Sequence, residues 1–594
     1  MSSFTFPEAI AAVESWLDGA GSFFATKVAA AKSARKLEWD IALHAEGYPV
    51  EFVRVSLGPL FPALPCELYV SPDLCLAIPH IEEDGRVCLG EACAPDDFNE
   101  PVAAVARAIN RFKKELLERC SNEQWRESQL NEERLSYWSR FCDRRQKAPR
   151  GRPRPRTTFV SIEHVDRSAE GRIAAFIPKG SRHRRFHTQV ITQNNIDPLE
   201  LAARHMFSAG TVVKGNALFV RLPVGFSWTP STWPQNFVDL AALVQSATDG
   251  TVSVTEWLMG TGWHDRSPGA VELLSKNKVP DGTKPLVVIL CHGQEMYGYQ
   301  ISQSTVSRVT APHAAPIKLA RIDPSWSLTR DHGDDVFNRR KQKRILVLGA
   351  GSLGSPIIDI LARSGIGTLD VVDGQLLEAA NVSRHTLGLD AILQTKASAL
   401  ASRIRKQVPG VCITGFASDA RPWCARHCTP GKYDLIIDLT AESSVRSFLA
   451  YTREKAFGNV PLIHAWVEPY CAAAHVVATV ESLHWPSDDS ARTQVNVADY
   501  SSADVRIRLP ACSDGFHVYG SADITQAAGF AAERILNVLD EGLVESTVWS
   551  FVRTKAFFDV LAMPIITKPI VPSTGGPRDG VMLTRLLEDV MKGD

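Results

Sequence analysis

The sequence predicts a multidomain chain mixing α/β and α+β folds, and three observations carry that prediction. From Arg344 onward, strand-like apolar runs alternate with helical patterns: RILVLGA, a helix near 355–363, TLDVVDG, a helix near 394–407, then CITGFASD and YDLIIDLT. Such alternation builds βαβ units on a mainly parallel sheet. Residues 1–142 read differently, with an amphipathic helix over 6–17, short strand runs (LEWDIALHA, YPVEFVRVSL, CELYVS), and helical periodicity over 101–117 and 123–141. That order belongs to an α+β domain. Finally, 594 residues leave room for about three or four domains of roughly 100–200 residues each.

Composition narrows the class. The chain balances 65 Lys+Arg against 66 Asp+Glu, for a net charge of -1, so it lacks the field of a dedicated nucleic-acid binder, and no direct nucleic-acid substrate is expected. Hydrophobic residues make up 45%, enough for real cores. The N-terminus MSSFTFPEAIAAVESWL carries acids and lacks a basic leader region, unlike a signal peptide. No apolar run approaches the roughly 20 residues that span a bilayer. The expectation is a cytoplasmic chain without membrane association. Its 12 irregularly spaced cysteines then read as reduced core residues, ligands or nucleophiles.

Four segments follow. Residues 1–143 form the first. Residues 144–157 form a linker: Arg144–Arg156 holds 7 basic residues and three prolines in 13 positions, and proline extends the backbone while like charges repel. Residues 158–325 form a middle α/β domain of unassigned role, with strand-like TFVSI, NALFVRLPV, TVSVTEWLM and KPLVVILCH and a helix over 234–248. Its Lys179, Arg182, His183, Arg184 and Arg185 read equally as a solvated basic loop or a binding site. Residues 326–594 form the last domain. No internal repeat points to a solenoid.

The chemistry concentrates in that last domain. An apolar strand runs into Gly349-Ala350-Gly351-Ser352-Leu353-Gly354 and then a helix. This glycine pattern lets backbone approach phosphates at a helix N-terminus. Asp373 ends the next strand, 19 residues beyond Gly354, where a carboxylate can bond a ribose hydroxyl. Asn381, Arg384 and Lys396 follow. Fixed cations suit adenylation better than hydride transfer, because charge builds on the α-phosphate as a carboxylate attacks it. Gly349, Gly351, Gly354, Asp373, Asn381, Arg384 and Lys396 together resemble, over about residues 330–540, the Rossmann-like ThiF/MoeB adenylating family to which ubiquitin-activating enzymes are related. The resemblance implies ATP, magnesium and a homodimer. It also implies a metal-binding Asp in a D-x-T-D pattern, where this chain has Asp438-Leu439-Thr440-Ala441-Glu442. Asp438 or Glu442 then supplies the oxygen, or phosphates hold the ion.

Acyl capture from an adenylate needs an accessible thiolate. Cys512 lies in Leu509–Phe516, a loop ahead of a helix over 524–539, and resembles the acyl-accepting cysteine that ubiquitin-activating-like enzymes carry on a mobile segment, here near 480–520. Cys471 competes but reads as core, as do Cys291 and Cys412. Cys424, His427 and Cys428 form no second ligand pair and no C-x-x-C exists, so zinc is not expected.

The first segment contains Ile78-Pro79-His80-Ile81-Glu82-Glu83-Asp84-Gly85-Arg86-Val87-Cys88-Leu89. This resembles the active-site stretch of ubiquitin-conjugating enzymes, H-P-N-[IV]-x-x-x-G-x-[IV]-C-[LI], with the proline, glycine and cysteine in register. His80 stands where that family has an oxyanion-stabilising Asn, and can donate a hydrogen bond or act as a base. Conjugating segment, middle domain and activating domain, in this order and size, resemble the E2–E1 fusion proteins of bacterial CBASS antiphage operons. That resemblance implies a relay. A protein C-terminus, that of a cGAS-like nucleotidyltransferase, is adenylated, carried as a thioester on Cys512 and then Cys88, and passed to a target amine, with the linker supplying reach. A conjugating fusion for a separate ubiquitin-like modifier, or a sulfur-carrier adenylyltransferase, would share much of this pattern.

Overall fold

The computed structural model describes residues 6–28, 36–43, 50–89, 98–146, 157–162, 168–177, 188–193, 195–204, 211–262, 284–303, 312–329, 333–507 and 516–592. Cys512, Cys93, the 182–185 basic cluster with Lys179, and linker residues 147–156 lie outside them. Among the described residues no helix is long and apolar enough to cross a membrane. The chain forms two compact units, 1–203 with 207–321, and 204–206 with 322–594. Where the sequence suggested separate first and middle domains, both belong to the first unit.

The first unit opens with α1 (Pro7–Asp18), then an antiparallel meander of β1 (Ala25–Lys27), β2 (Leu37–Ala42), β3 (Phe52–Leu57) and β4 (Glu67–Tyr69). A helix, α2 (Pro101–Arg111), covers one face and contributes Val105, Ala108 and Ile109 to the core around Trp39, Val53 and Val55. The periodicity over 123–141 resolves into two helices, α3 (Glu123–Glu132) and α4 (Arg134–Gln146), broken at Glu133. Asn122 caps α3 by accepting the Trp125 N–H at 3.0 Å, a preferred N-cap arrangement.

The rest of this unit is a mixed eight-stranded sheet in the order β11-β10-β9-β8-β6-β7-β5-β12. Its strands are β5 (Thr157–Ser161), β6 (Ala169–Ile177), β7 (Thr188–Gln193), β8 (Thr211–Arg221), β9 (Leu286–His292), β10 (Glu295–Gln303), β11 (Pro312–Ile317) and β12 (Leu319–Arg321). Two helices, α5 (Phe237–Ala247) and α6 (Val254–Gly260), lie between β8 and β9 in the chain. The run TVSVTEWLM was expected as a strand, but most of it forms α6. Ser253 accepts the Glu256 N–H at 3.2 Å, so a local N-cap overrides the β-propensity of Val252 and Val254.

Helix α4 belongs to both parts of this unit. Trp138, Phe141 and Cys142 are buried with Trp228, Trp233, Tyr297 and Tyr299 of the middle region. The Trp138 indole donates to the Ile317 carbonyl at 3.1 Å. Arg134 pairs with Glu295, and Arg145 donates to Gln235. The expected linker start, Arg144–Gln146, is therefore the last turn of a packed helix, because its apolar stripe outweighs the repulsion of its arginines.

The second unit is doubly wound over part of its sheet, ordered β15-β14-β13-β16-β17-β18-β22-β24. Strands β13 (Arg344–Leu348), β14 (Thr368–Val372), β15 (Cys412–Phe416), β16 (Leu435–Asp438) and β17 (Leu462–Val467) run parallel. Strands β18 (Ala473–Thr479), β22 (Thr547–Arg553) and β24 (Gly580–Leu586) extend the sheet antiparallel. Short strands β19 (Ala498–Asp499) and β23 (Ile566–Thr567) pair, as do β20 (Arg506–Ile507) and β21 (Phe516–His517). Helices α7 (Gly354–Arg363), α8 (Lys396–Gln407) and α11 (Ser521–Glu541) pack on one core, while α9 (Ala420–His427) and α10 (Ser443–Ala456) cover the other. Strand order reverses beside β13, and the crevice at the carboxyl ends of β13 and β16 is where such sheets bind ligands.

Candidate active sites

In the second unit the glycine loop has the geometry its spacing suggested. Gly349 takes φ +93°, and its N–H donates to the Val372 carbonyl at 2.9 Å. A Cβ on Gly354 would stand 2.2 Å from the Gly349 carbonyl oxygen, so helix α7 can start this close only with glycine there. A Cβ on Gly351 would meet nothing within 4 Å, which leaves open space over the loop for phosphates. Asp373 accepts the Ala350 N–H on Oδ2 and the Gln375 N–H on Oδ1, each at 2.8 Å. It thus braces the loop, and each oxygen keeps a lone pair for a ribose hydroxyl.

Asn381 accepts the Glu378 N–H at 3.1 Å and shapes the following turn. Lys396 is buried at the N-terminus of α8, its Nζ donating to Gln375 Oε1 at 2.7 Å. Burial lowers its pKa, opposed by Asp373 and Glu378. A buried lysine at the positive end of a helix dipole is unfavourable by itself, which marks it as a group that an anion would satisfy. The Arg384 guanidinium stacks 4.8 Å from the Tyr519 ring and donates to the His517 carbonyl at 3.0 Å. The Tyr519 and Ser352 hydroxyls lie 2.7 Å apart. Residues 517–519 are therefore bonded both to Arg384 and to the glycine loop, and strands β20 and β21 pair.

Several residues of this site were not singled out from sequence: Gln375, His385, Ser352, His517 and Tyr519. His385 directly follows Arg384, and a histidine beside a binding cation was the available signal. The others depend on segments far apart in the chain.

The expected cation ligands do not form a protein-built site. Asp438 is buried, with Oδ1 accepting both the Thr440 N–H and hydroxyl and Oδ2 accepting His464 Nδ1 at 2.9 Å. Its carboxylate ties Thr440 and His464 to the strand end. Glu442 is exposed at its surface, and partial desolvation of its carboxyl together with Asp419 pushes its pKa up. Among the described residues no cluster of three or more His, Cys, Asp or Glu can hold a metal. Cys424 is buried beside half-buried Cys428 on α9, and the hydrogen bond between them keeps the Cys424 thiol protonated.

Within the segment near 480–520, Trp485, Asp489, Ala491, Val495 and Val497 are buried. Cys471 is buried, and burial pushes its thiol up to about 12, away from the nucleophilic form. Cys412, expected as core, is exposed at the start of the edge strand β15.

In the first unit Cys88 is exposed. Its N–H donates to the His80 carbonyl at 2.7 Å, and the Glu82 N–H donates to Arg86 at 2.7 Å. Residues 80–88 thus form a small ribbon whose turn includes Gly85 at φ +87°. A Cβ there would stand 2.1 Å from the Val70 carbonyl oxygen, so the glycine three residues before the cysteine is a steric requirement. His80 has φ +62°. Its N–H donates to the Tyr137 hydroxyl at 2.7 Å, while its ring faces Gln129 Oε1 at 3.3 Å and Glu133 Oε1 at 3.5 Å on the α3–α4 side. The main chain of His80, more than its ring, is what meets Cys88.

One unit thus carries a glycine-rich turn on a doubly wound sheet, and the other an exposed cysteine on a braced ribbon. Residues 326–502 match the model of the ThiF family, and residues 13–145 match that of prokaryotic E2 family B. The chain thus joins a prokaryotic E2 family B region to a ThiF-family region. It is 31% identical over 157 residues to "ATP-dependent ubiquitin transferase-like protein Cap2" of Pseudomonas aeruginosa, covering 26% of this chain and 27% of that protein. It is 32% identical over 157 residues to the protein of the same name from Enterobacter hormaechei, covering 25% and 26%. It is 31% identical over 125 residues to "Adenylyltransferase and sulfurtransferase UBA4" of Yarrowia lipolytica, covering 21% and 31%. The chain therefore spans about a quarter to a third of the length of these relatives.

Proposed function

We propose that this chain is an ATP-dependent conjugating enzyme of the ubiquitin-like kind. A protein C-terminal carboxylate attacks the α-phosphorus of ATP, forming an acyl-adenylate and releasing pyrophosphate. The glycine loop receives the phosphates, Asp373 the ribose, and Arg384 and Lys396 the negative charge that builds on the phosphates. The Cys512 thiolate then attacks the acyl carbon and AMP leaves. The Cys88 thiolate takes the acyl group from Cys512, whose thiolate departs. An amine attacks the Cys88 thioester, loses a proton and forms an amide. In this reading magnesium would be held by the nucleotide phosphates with an oxygen from Asp438 or Glu442; Asp438 Oδ2 accepts His464 Nδ1 and keeps a lone pair.

The observation that carries the proposal is Cys88: an exposed thiol on a ribbon held by Gly85 and His80, within the region that matches prokaryotic E2 family B. The finer reading, that the substrate is the C-terminus of a cGAS-like nucleotidyltransferase and that the enzyme is a homodimer, follows the family resemblance of the sequence. The name of the Yarrowia relative supports a second reading, sulfur-carrier adenylation, in which Cys88 has no role and Cys88→Ala leaves the product yield unchanged.

Non-reducing electrophoresis with ATP and the candidate substrate tests the relay. Thiol-sensitive adducts are expected. Cys512→Ala should remove both thioesters, and Cys88→Ala should let the Cys512 adduct accumulate. Persistence of both adducts in the Cys512 variant would overturn the assignment.

A further inference from the structure

One helix carries two faces with different duties. On one face of α4, Tyr137, Arg140 and Arg144 recur at helical spacing and meet the segment that leads to Cys88. Tyr137 accepts the His80 N–H at 2.7 Å. Arg140 donates to Glu82 Oε1 at 2.6 Å and to the Ile81 carbonyl at 3.5 Å, and its guanidinium stacks 4.8 Å from the Tyr137 ring. Arg144 donates to the carbonyls of Cys75 and Pro72. On the other face, Trp138, Phe141 and Cys142 are buried with Trp228, Trp233, Tyr297 and Tyr299 of the middle region. The Trp138 ring packs 5.2 Å from both Trp233 and Tyr297.

The segment held by the first face is conformationally costly. His80 sits at φ +62°, a region that L side chains enter at a cost of about 1–2 kcal/mol. Its carbonyl is the acceptor for the Cys88 N–H. If His80 relaxed to negative φ, its peptide planes would turn and the pairing with Cys88 would be lost. The Tyr137 hydroxyl bonds the N–H of the same residue, and Tyr137 is itself buried, so it cannot follow a relaxing loop.

We propose that Tyr137 is a positioning residue for acyl transfer from Cys88. Helix α4, seated on the middle sheet, holds the His80 main chain in its left-handed conformation and so keeps the Cys88 ribbon in register. The middle region is then the socket of the transferring thiol rather than a spacer. This inference rests on the reading of Cys88 as the acyl-carrying thiol.

The test uses the full chain with ATP and the protein substrate, and follows charging of Cys88 separately from its discharge to free lysine. Tyr137→Phe deletes only the hydroxyl. Discharge kcat should fall about tenfold, the size of one lost hydrogen bond, while charging and the KM for lysine stay within twofold of the parent. Arg140→Met, which keeps the stem over Tyr137 but releases Ile81 and Glu82, should slow discharge in the same way and serves if Tyr137→Phe fails to fold. Unchanged discharge in both folded variants overturns the inference, as does an equal fall in charging and discharge. Cys88→Ala separates the two levels: if it leaves the adduct pattern intact, the reading of Cys88 fails. If it abolishes the second adduct while Tyr137→Phe discharges normally, only the role of Tyr137 fails.

Discussion

The buried imidazole of His385 donates from Nε2 to the Ala350 carbonyl at 2.7 Å, inside the glycine loop, while its Nδ1 accepts the Leu387 N–H at 3.0 Å. Because a backbone N–H only donates, Nδ1 carries no proton, so this ring is neutral and its tautomer is set. The glycine loop is thereby braced from two sides, by His385 on a carbonyl and by Asp373 on an N–H.

Acid should loosen the nucleotide loop through His385. Burial lowers its pKa below the ordinary value. A lowered folded-state pKa means that the stability is complete above the unfolded value of about 6.5 and is lost as pH falls through the folded one. Thermal melts from pH 8 to 5 should show a declining limb below pH 6.5. His385→Phe should flatten that limb and cost about 1–3 kcal/mol at pH 7.5, through the unpaired Ala350 carbonyl and Leu387 N–H. An unchanged limb in this variant would assign it to other groups.

Alkali should silence adenylation through Lys396. Its pKa is lowered by burial, so it loses its proton at lower pH than an ordinary lysine near 10.4. ATP–pyrophosphate exchange in the presence of substrate should therefore fall on the alkaline side before the usual lysine range. Lys396→Met should lower exchange about a hundredfold at neutral pH, as removal of a group stabilising transition-state charge does. Lys396→Arg should keep part of the rate and move the alkaline limb upward.

The second and third glycines of the loop should fail differently. Gly354→Ala puts a Cβ 2.2 Å from the Gly349 carbonyl, and overpacking of this kind costs about 1–3 kcal/mol. Both melting temperature and nucleotide affinity should drop. Gly351→Ala meets no protein atom within 4 Å, so its melting temperature should hold while the KM for ATP rises. A lowered melting temperature in Gly351→Ala would contradict the open space assigned to phosphates.

A buried ion pair, Arg446–Asp489, bonded at 2.8 and 2.9 Å, ties α10 to the 485–495 segment. Burial alone would raise the Asp489 pKa, but Arg446 and the Trp485 indole hold it below the ordinary value. Its contribution is thus present above about pH 4 and lost as pH falls through the lowered folded value. Asp489→Asn should cost about 3–5 kcal/mol in urea unfolding at pH 7 by stranding Arg446. Arg446→Met combined with Asp489→Leu should recover most of it.

Much of the region that matches the ThiF family was legible in the sequence. Strand β13, the glycines, Asp373 and helix α8 appear where alternation and spacing predicted them, because each signal is local. Gly349, Gly354 and Gly85 could be singled out before their φ angles were known, since close backbone approach leaves no other residue type. The surroundings of Asp438 were not legible, because they depend on distance in the chain: His464, on the neighbouring strand, bonds its second oxygen.

The sequence by itself determined local geometry: a glycine-rich turn, cations after it, and a cysteine three residues beyond an obligatory glycine. Those follow from short-range sterics and hydrogen bonding. Only the tertiary structure decided what the arginine-rich end of α4 does. Composition read Arg144–Arg156 as a linker, yet its first turn continues a helix buried against Trp228, Trp233, Tyr297 and Tyr299. Those partners come from segments about 90 to 160 residues away, and burying that aromatic surface outweighs a local preference for extension. The same long-range packing brings the Tyr137 hydroxyl to the His80 N–H.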